Sequence, residues 1–183
     1  MSPFPHLETE CLLLRQLTEA DLGRIVALAG AEAVAATTLN IPHPYAKADA
    51  RHWLGLARQG FARQDAYIFG IERQESGEFI GGIGLSLTAP HRRAEAGYWL
   101  GQPYWNRGYG TEALGALLRF GFETLALHKI TSSHYAINPA SGKVMTKNGL
   151  VKEGELAAHI LKNGQWHDLW VYGLLRAAYA PPR

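Results

Sequence analysis

One cysteine, Cys11, stands alone in 183 residues, so an internal disulfide framework is excluded and a reducing compartment is the expected setting. No apolar run approaches the ~18–20 residues needed to span a bilayer, and Met-Ser-Pro-Phe-Pro-His at the start lacks the charged-then-apolar layout of a signal peptide. Together these point to the cytoplasm and away from a membrane. Charge of one sign is scarce: formal net charge is +2, and the basic residues form no block, which argues against a DNA-binding surface. The eight histidines show neither an HExxH pattern nor ligand spacing with cysteine, so no metal site is expected. Internal repeats and low-complexity segments are absent as well. What remains is an ordinary globular composition, 47% hydrophobic and 19% charged, with length for one domain spanning 1–183.

The most informative stretch is Gly97-Tyr98-Trp99-Leu100-Gly101-Gln102-Pro103-Tyr104-Trp105-Asn106-Arg107-Gly108-Tyr109-Gly110-Thr111-Glu112-Ala113. It starts as an apolar strand, turns at Gly101 and Pro103, and enters a Gly-x-Gly loop. From Thr111 a helical period takes over, with Leu114, Leu117, Leu118 and Leu125 on one face. A strand, a glycine loop and a helix N-terminus make an anion site, because the free N–H groups of the first turn point at the ligand. The Walker pattern is excluded, since Thr111-Glu112 stands where it needs Lys-Ser/Thr. The dinucleotide fingerprint tolerates Ala113 but normally follows the first strand of a domain. A glycine-rich turn before an ordinary helix is the competing reading.

Around this stretch the pattern predicts a mixed α+β sheet. Leu7 to Leu17 reads as a first strand, and Thr18 can cap a helix with Asp21 at its third position. Residues 30–45 are expected to form an extended loop, because Pro42 and Pro44 forbid regular helix. A second helix starts around Asp49, with Trp53, Leu54, Ala57 and Phe61 inward. Two strands, Ala66 to Ile71 and Phe79 to Leu85, flank a Ser76-Gly77 turn, and Arg92 to Leu100 is the next. Lys129 to Ala136 is a further strand. Pro139 suits a helix start, Gly149 its left-handed stop, and Asn163-Gly164 a closing hairpin.

Tyr-Trp-Asn-Arg-Gly-Tyr-Gly-Thr-Glu-Ala at 104–113 resembles the acetyl-CoA pyrophosphate loop of the GNAT acetyltransferase superfamily, and Gly-Tyr-Trp-Leu before it resembles the strand that runs beside pantetheine. Three other segments extend the resemblance over nearly the full chain. They are Leu-Glu-Thr-Glu-x-Leu-x-Leu-Arg at the start, Pro-His-Pro-Tyr at 42–45, and Asn138-x-x-Ser141 followed by Lys147-x-Gly149, with Leu150 in place of the family's phenylalanine. Trp105 replaces the superfamily's usual Gln or Arg, a change common in the RimJ/RimL branch, which includes the ribosomal-protein N-terminal acetyltransferases.

The resemblance implies a GNAT fold of about seven mostly antiparallel strands, splayed between strands four and five, with helices on both faces. It implies acetyl-CoA as acyl donor in the splay, held by backbone groups of Tyr98 and Leu100, amides of Arg107, Gly108, Tyr109, Gly110 and Thr111, and by Asn138, Ser141 and Lys147, with Lys143 a second lysine in reach of the outer phosphates. Amine acetylation needs a base for the ammonium and an acid for the thiolate. Glu95 is the candidate base, with an ion pair to Arg92 or Arg93 as its alternative. Ser141 and Tyr135 are the candidate acids, although Ser141 could cap its helix and Tyr135 could fill core. Tyr135, His134 and His43 are further possibilities for the base, and Trp166 and Trp170 for lining an acceptor groove. Cys11 is expected to be a small buried apolar residue and not an acyl carrier. The implied acceptor is a primary amine, a protein N-terminus by branch analogy, with polyamines, aminoglycosides or a non-catalytic CoA-responsive module as alternatives. The protein is expected to be a monomer or homodimer.

Overall fold

The computed structural model describes residues 3–180; Met1-Ser2 of the N-terminal stretch and the last three residues lie outside it. Eight strands form one sheet in the order β1-β2-β3-β4-β5-β6-β8-β7. They are β1 Leu7–Glu8, β2 Leu12–Gln16, β3 Ala66–Arg73, β4 Glu78–Thr88, β5 Arg93–Leu100, β6 Lys129–Tyr135, β7 Val151–Lys162 and β8 Gln165–Leu175. Every neighbouring pair is antiparallel except β5 and β6. That parallel pair needs a crossover, which is supplied by the helix α4, Tyr109–Arg119.

The expected first strand is two. The chain turns back at Thr9 to Cys11, where the Thr9 amide donates to the Leu12 carbonyl at 2.9 Å. Glu112, in the first turn of α4, accepts from the Thr9 hydroxyl at 2.6 Å and from the Cys11 amide at 2.7 Å. This raises the strand count from seven to eight. It also overturns the expectation for Cys11, which is exposed on the bend and not buried. Its thiol is held above its ordinary pKa, chiefly by the negative charge of Glu112.

Other boundaries moved for local reasons. Helix α1, Leu22–Ala29, follows a 3-10 turn that begins where Thr18 and Asp21 make the expected capping box, the Thr18 amide donating to Asp21 at 2.7 Å. A short helix α2, Glu32–Ala36, forms in the segment expected to be loop, since its alanines lie ahead of the prolines. Helix α3, Lys47–Arg63, starts before Asp49, whose carboxylate accepts the Ala46 amide at 2.7 Å and so occupies the third helical position. Helix α4 starts at Tyr109, ahead of Thr111, and ends in a π-helical turn, Phe120–Thr124, so Leu125 falls beyond it. Helix α5, Pro139–Lys147, starts and stops where expected, with Gly149 at φ +82°. Asn163 and Gly164 close the β7–β8 hairpin, both with positive φ, the backbone of a type I′ turn.

Helices cover both faces of the sheet, α1 and α3 against β3 and β4, α4 against β2, β4 and β5, and α5 against β6. The core between them is apolar, with Phe69, Ile71, Ile83, Leu85, Leu114 and Ile130 almost wholly buried. Among the described residues no helix is long and apolar enough to cross a membrane.

Among the described residues one carboxylate, Asp21, is buried beside this core. Arg15 of β2 makes two hydrogen bonds to Asp21, at 2.8 and 3.0 Å, and a third at 2.5 Å to Glu72 of β3. Burial by itself pushes the Asp21 carboxyl up; the Arg15 guanidinium and the Thr18 amide outweigh it and hold the carboxyl below its ordinary value. A depressed folded pKa stabilises the fold above the unfolded value of about 3.9 and is lost as pH falls through the folded one. Asp21→Asn should therefore destabilise by roughly 1–3 kcal/mol at pH 7, and denaturant melts should show the gap to wild type closing below about pH 4.

Candidate active site

The parallel pairing of β5 with β6 is short. Arg93 to Ala96 are in register with Lys129 to Ser132, and beyond them the strands part. Counting β1 and β2 as one strand, this is the expected parting of the fourth and fifth. On its other edge β5 stays paired with β4 up to Leu100 opposite Gly81. The Gly101 amide donates to the Ile80 carbonyl at 2.9 Å, which fixes the parity of the ladder. Residues 99 and 97 then spend their backbone groups on β4, whereas those of Tyr98 and Leu100 face the gap that β6 has left. The Leu100 carbonyl is taken by the Trp105 indole N–H at 2.8 Å. The Leu100 N–H and both groups of Tyr98 are thus presented to the gap as a ready strand edge.

At the carboxyl end of β5 the glycine loop delivers the start of α4 to the same gap. Gly108 sits at the helix N-cap with φ +86°, a left-handed backbone in which a side chain would be strained. The first helical bond recorded there runs from the Glu112 amide to the Gly108 carbonyl at 3.0 Å. The amides of Gly108 to Thr111 precede that bond and have no carbonyl one turn back within the helix. Asn148 ties this end down, its side-chain amide donating to the carbonyls of Thr111 at 3.1 Å and Val144 at 2.9 Å.

A cleft of about 1180 Å³ runs through the gap, large enough for two substrates. It is lined by every residue expected to bind the cofactor: Tyr98, Leu100, Arg107, Gly108, Tyr109, Gly110, Thr111, Asn138, Ser141 and Lys147, with Lys143. Both lysines are exposed. Asn138 also has a structural job: it caps α5, its side chain accepting the Ser141 amide at 3.4 Å. Ser141 therefore is not the cap.

Ser141 and Tyr135 line the cleft, but Glu95 does not. Glu95 is exposed in an adjoining hollow, where it accepts the Ser133 hydroxyl at 3.2 Å, and Ser133 is shared with the cleft. Among the described residues it forms no ion pair with Arg92 or Arg93; Arg92 instead donates to the Ala126 carbonyl at 2.7 Å. Tyr135 is buried, and its hydroxyl is the one buried side-chain polar atom among the described residues without a hydrogen-bond partner. His134 lines the cleft too. Burial lowers its pKa, Nδ1–H donates to the Tyr135 carbonyl at 2.6 Å, and Nε2 lies 3.4 Å from the Tyr172 hydroxyl.

The sequence missed two features. The first is the Tyr98 side chain: its hydroxyl is 2.7 Å from Ser141 Oγ and 3.1 Å from the Ser141 carbonyl, a bridge from β5 to α5 beside the gap. Burial pushes this phenol up to about 12, and the bond to Ser141 pulls the other way. The strand and the helix were each readable, but the pairing of position 98 with 141 was not. The second is the pair of aromatic walls. Trp166 is exposed and Trp170 packs on His134, so neither lines the cleft. Trp53 of α3 and Trp99 of β5 do, with ring centroids 5.9 Å apart. Gly82 makes room for them, since a Cβ there would come within 2.5 Å of the Trp53 ring. Pro42 and Tyr45 of the Pro-His-Pro-Tyr segment line the same end, whereas His43 is exposed outside it.

Comparison with known proteins agrees with this geometry. The acetyltransferase (GNAT) domain family matches residues 12–151. An uncharacterized N-acetyltransferase of Bacillus subtilis, YoaA, is 31% identical over 94% of this chain and 98% of its own. The ribosomal protein uS5 alanine N-acetyltransferase of Escherichia coli is 28% identical over 71% of this chain and 68% of its own. Among solved structures, the spermidine N-acetyltransferase of Vibrio cholerae in complex with CoA and spermine superposes with a TM-score of 0.79 at 24% identity, over 92% of this chain and 97% of that one. With its parted strands, glycine loop and family match over most of its length, the chain belongs to the GNAT acetyltransferases and is an N-acetyltransferase.

Proposed function

We propose that this protein transfers the acetyl group of acetyl-CoA to the primary amine of a protein or peptide N-terminus, by direct attack in a ternary complex. The observation that carries the choice of acceptor is the charge of the cleft. Among the described residues Asp49 is the one carboxylate lining it, and Asp49 is engaged in capping α3. A polyamine or aminoglycoside brings several ammonium groups, each needing a carboxylate or its equivalent. A peptide N-terminus brings one, which the reaction itself removes. The aromatic and apolar residues at the acceptor end, Trp53, Trp99, Leu39, Ile41, Tyr45 and Ile68, suit a first side chain without charge. The reading also takes the chain as one cytoplasmic domain.

Acetyl-CoA, when bound, supplies the acetyl group as a thioester. Arg107, Lys143, Lys147 and the amides of Gly108 to Thr111 fit its phosphates by charge and by free N–H groups. The edge of Tyr98 and Leu100 fits its amide-bearing arm as an added strand, with the Leu100 N–H able to polarise a carbonyl. With the Tyr98 hydroxyl donating to Ser141 Oγ, the Ser141 proton is free to point at a departing thiolate. Tyr135, with an unpartnered hydroxyl, is a second source of that proton. Glu95 would take the proton of the ammonium through Ser133 or water. Cys11 is outside the cleft and its thiol is kept protonated, which favours direct attack over an acyl-cysteine. A non-catalytic CoA module would have no use for hydroxyls gathered at the gap.

A panel of peptides with free N-termini, spermidine and an aminoglycoside, read by CoA release, tests the function. Peptides should be turned over at least about tenfold faster in kcat/KM, and faster turnover of spermidine would replace the peptide reading.

The glycine loop has its own test. A Cβ at Gly110 would meet Val144 and Leu100 at ordinary contact distances, 3.5 and 3.6 Å, so the backbone tolerates a side chain. An indole there must extend past them over the helix start. Gly110→Trp should melt close to wild type and lose about tenfold or more in acetyl-CoA affinity by calorimetric titration.

For the base, an amine of pKa about 8–10 is mostly protonated at neutral pH. Glu95→Gln should lower kcat by roughly 10²–10⁴-fold there, leave acetyl-CoA affinity near wild type, and recover at high pH where solvent supplies free amine. Wild-type kcat at pH 7 would pass the role to His134 or Tyr135.

A further inference from the structure

The acceptor end of the cleft contains a cation that the acetyl transfer does not use. Lys162, the last residue of β7, lines the cleft from the hairpin side, and its Nζ reaches three backbone carbonyls: Ala35 at 2.5 Å, Ile41 at 3.1 Å, and Thr38. An ammonium has three N–H donors, so three carbonyls satisfy it fully. Among the described residues no carboxylate pairs with it. Ala35 lies in the last turn of α2, where its carbonyl also receives the Thr38 amide and hydroxyl at long range, 3.4 Å each, and so has room for a shorter bond from the ammonium. Thr38 and Ile41 belong to the segment that follows, of which Thr37, Leu39, Ile41 and Pro42 wall the acceptor end. Thr37 and Thr38 also bond back to the carbonyls of α2, and among the described residues the other side chain reaching this segment from a distant part of the chain is Asn138, whose amide lies at 3.4 Å from the Thr37 carbonyl. Burial lowers the Lys162 pKa, as expected for a desolvated charge met only by neutral dipoles.

We propose that Lys162 is a specificity-determining residue: its ammonium fixes residues 35–41 as the wall of the acceptor end and fills the carbonyl cage in which a second ammonium of a diamine would otherwise be held. The cage is the cation-binding feature that the acceptor end offers in place of carboxylates. With it filled from within, the acceptor amine is accepted on condition that no further positive charge lies a few carbons away. The selectivity half of this rests on the peptide-amine reading above; the anchoring of the wall does not.

Lys162→Met keeps the length of the side chain and removes the charge. Hydrogen exchange of residues 36–41 should accelerate by about tenfold or more in this variant, with the KM for acetyl-CoA unchanged. The ratio of kcat/KM for spermidine to that for a peptide with an uncharged first residue should rise about tenfold. Lys162→Arg, which retains a cation with several donors, should restore protection of the segment and most of the wild-type ratio. If the Met variant does not fold, Lys162→Gln carries the same measurements. Unchanged exchange, or accelerated exchange with an unchanged ratio, would overturn the proposal. If wild type acetylates no peptide at all, it is the peptide reading that fails, while the exchange arm still decides the anchoring.

Discussion

The site depends on a pairing that stops. β5 and β6 are hydrogen-bonded over four residue pairs and then separate, although both strands continue. In a protein interior, unpaired backbone groups cost free energy, so a sheet does not open without a reason. Here the β5 edge beyond Ala96 opens onto a cleft and not onto core. A substrate with amide groups of its own can then bind as a temporary strand, and its recognition uses main-chain geometry that side-chain substitutions leave intact. The crossover through α4 follows from the same arrangement, because a parallel neighbour demands a long connection and that connection places a helix N-terminus at the mouth of the gap.

Charge is distributed along the cleft in a way that sorts its two ends. Arg107, Lys143 and Lys147 stand near the helix start, where an anionic group gains both from their charge and from the free amides. At the other end the side chains are aromatic and aliphatic, the one carboxylate is turned to its own helix, and the one lysine is turned to carbonyls. Between the ends lie hydroxyl groups, Ser141 paired with Tyr98, and Tyr135 unpaired. Burial of Tyr98 raises its phenol further above the physiological range, so the Tyr98–Ser141 pair stays neutral and hydrogen-bonded there.

Several parts of this were legible from the chain alone because they rest on contacts between residues near in sequence. The Asn163-Gly164 turn, the capping box at Thr18, and the Pro139 start and Gly149 stop of α5 are decided by local backbone preferences. The glycine loop is of the same kind, since a left-handed Gly108 followed by an apolar helical period announces a strand-to-helix turn. The errors have the opposite origin. Cys11 was expected to be buried because its strand is apolar, but Glu112, distant in sequence, bends the chain there and leaves the thiol outside. The tryptophans were expected on the last hairpin, and which of the five face the cleft depends on how α3 lies across the glycines of β4.

The sequence by itself determined the α+β class, the order of the strands and helices apart from the split first strand and α2, the glycine loop before α4, and nearly the whole set of residues that line the cleft beside it. The class, the element order and the loop are written in periodicity and turn chemistry, which act over a few residues, whereas the residues along the cleft followed from the resemblance carried by short motifs. The tertiary structure alone decided that Tyr98 meets Ser141, that Glu95 stands beside the cleft and not in it, that Trp53 and Trp99 line the cleft together, and that Lys162 closes on Ala35, Thr38 and Ile41. Each of these joins elements far apart in the chain, and no local preference encodes which side chain ends beside which. Their meeting is fixed by how the sheet twists, where β5 and β6 part, and how the helices pack on the two faces.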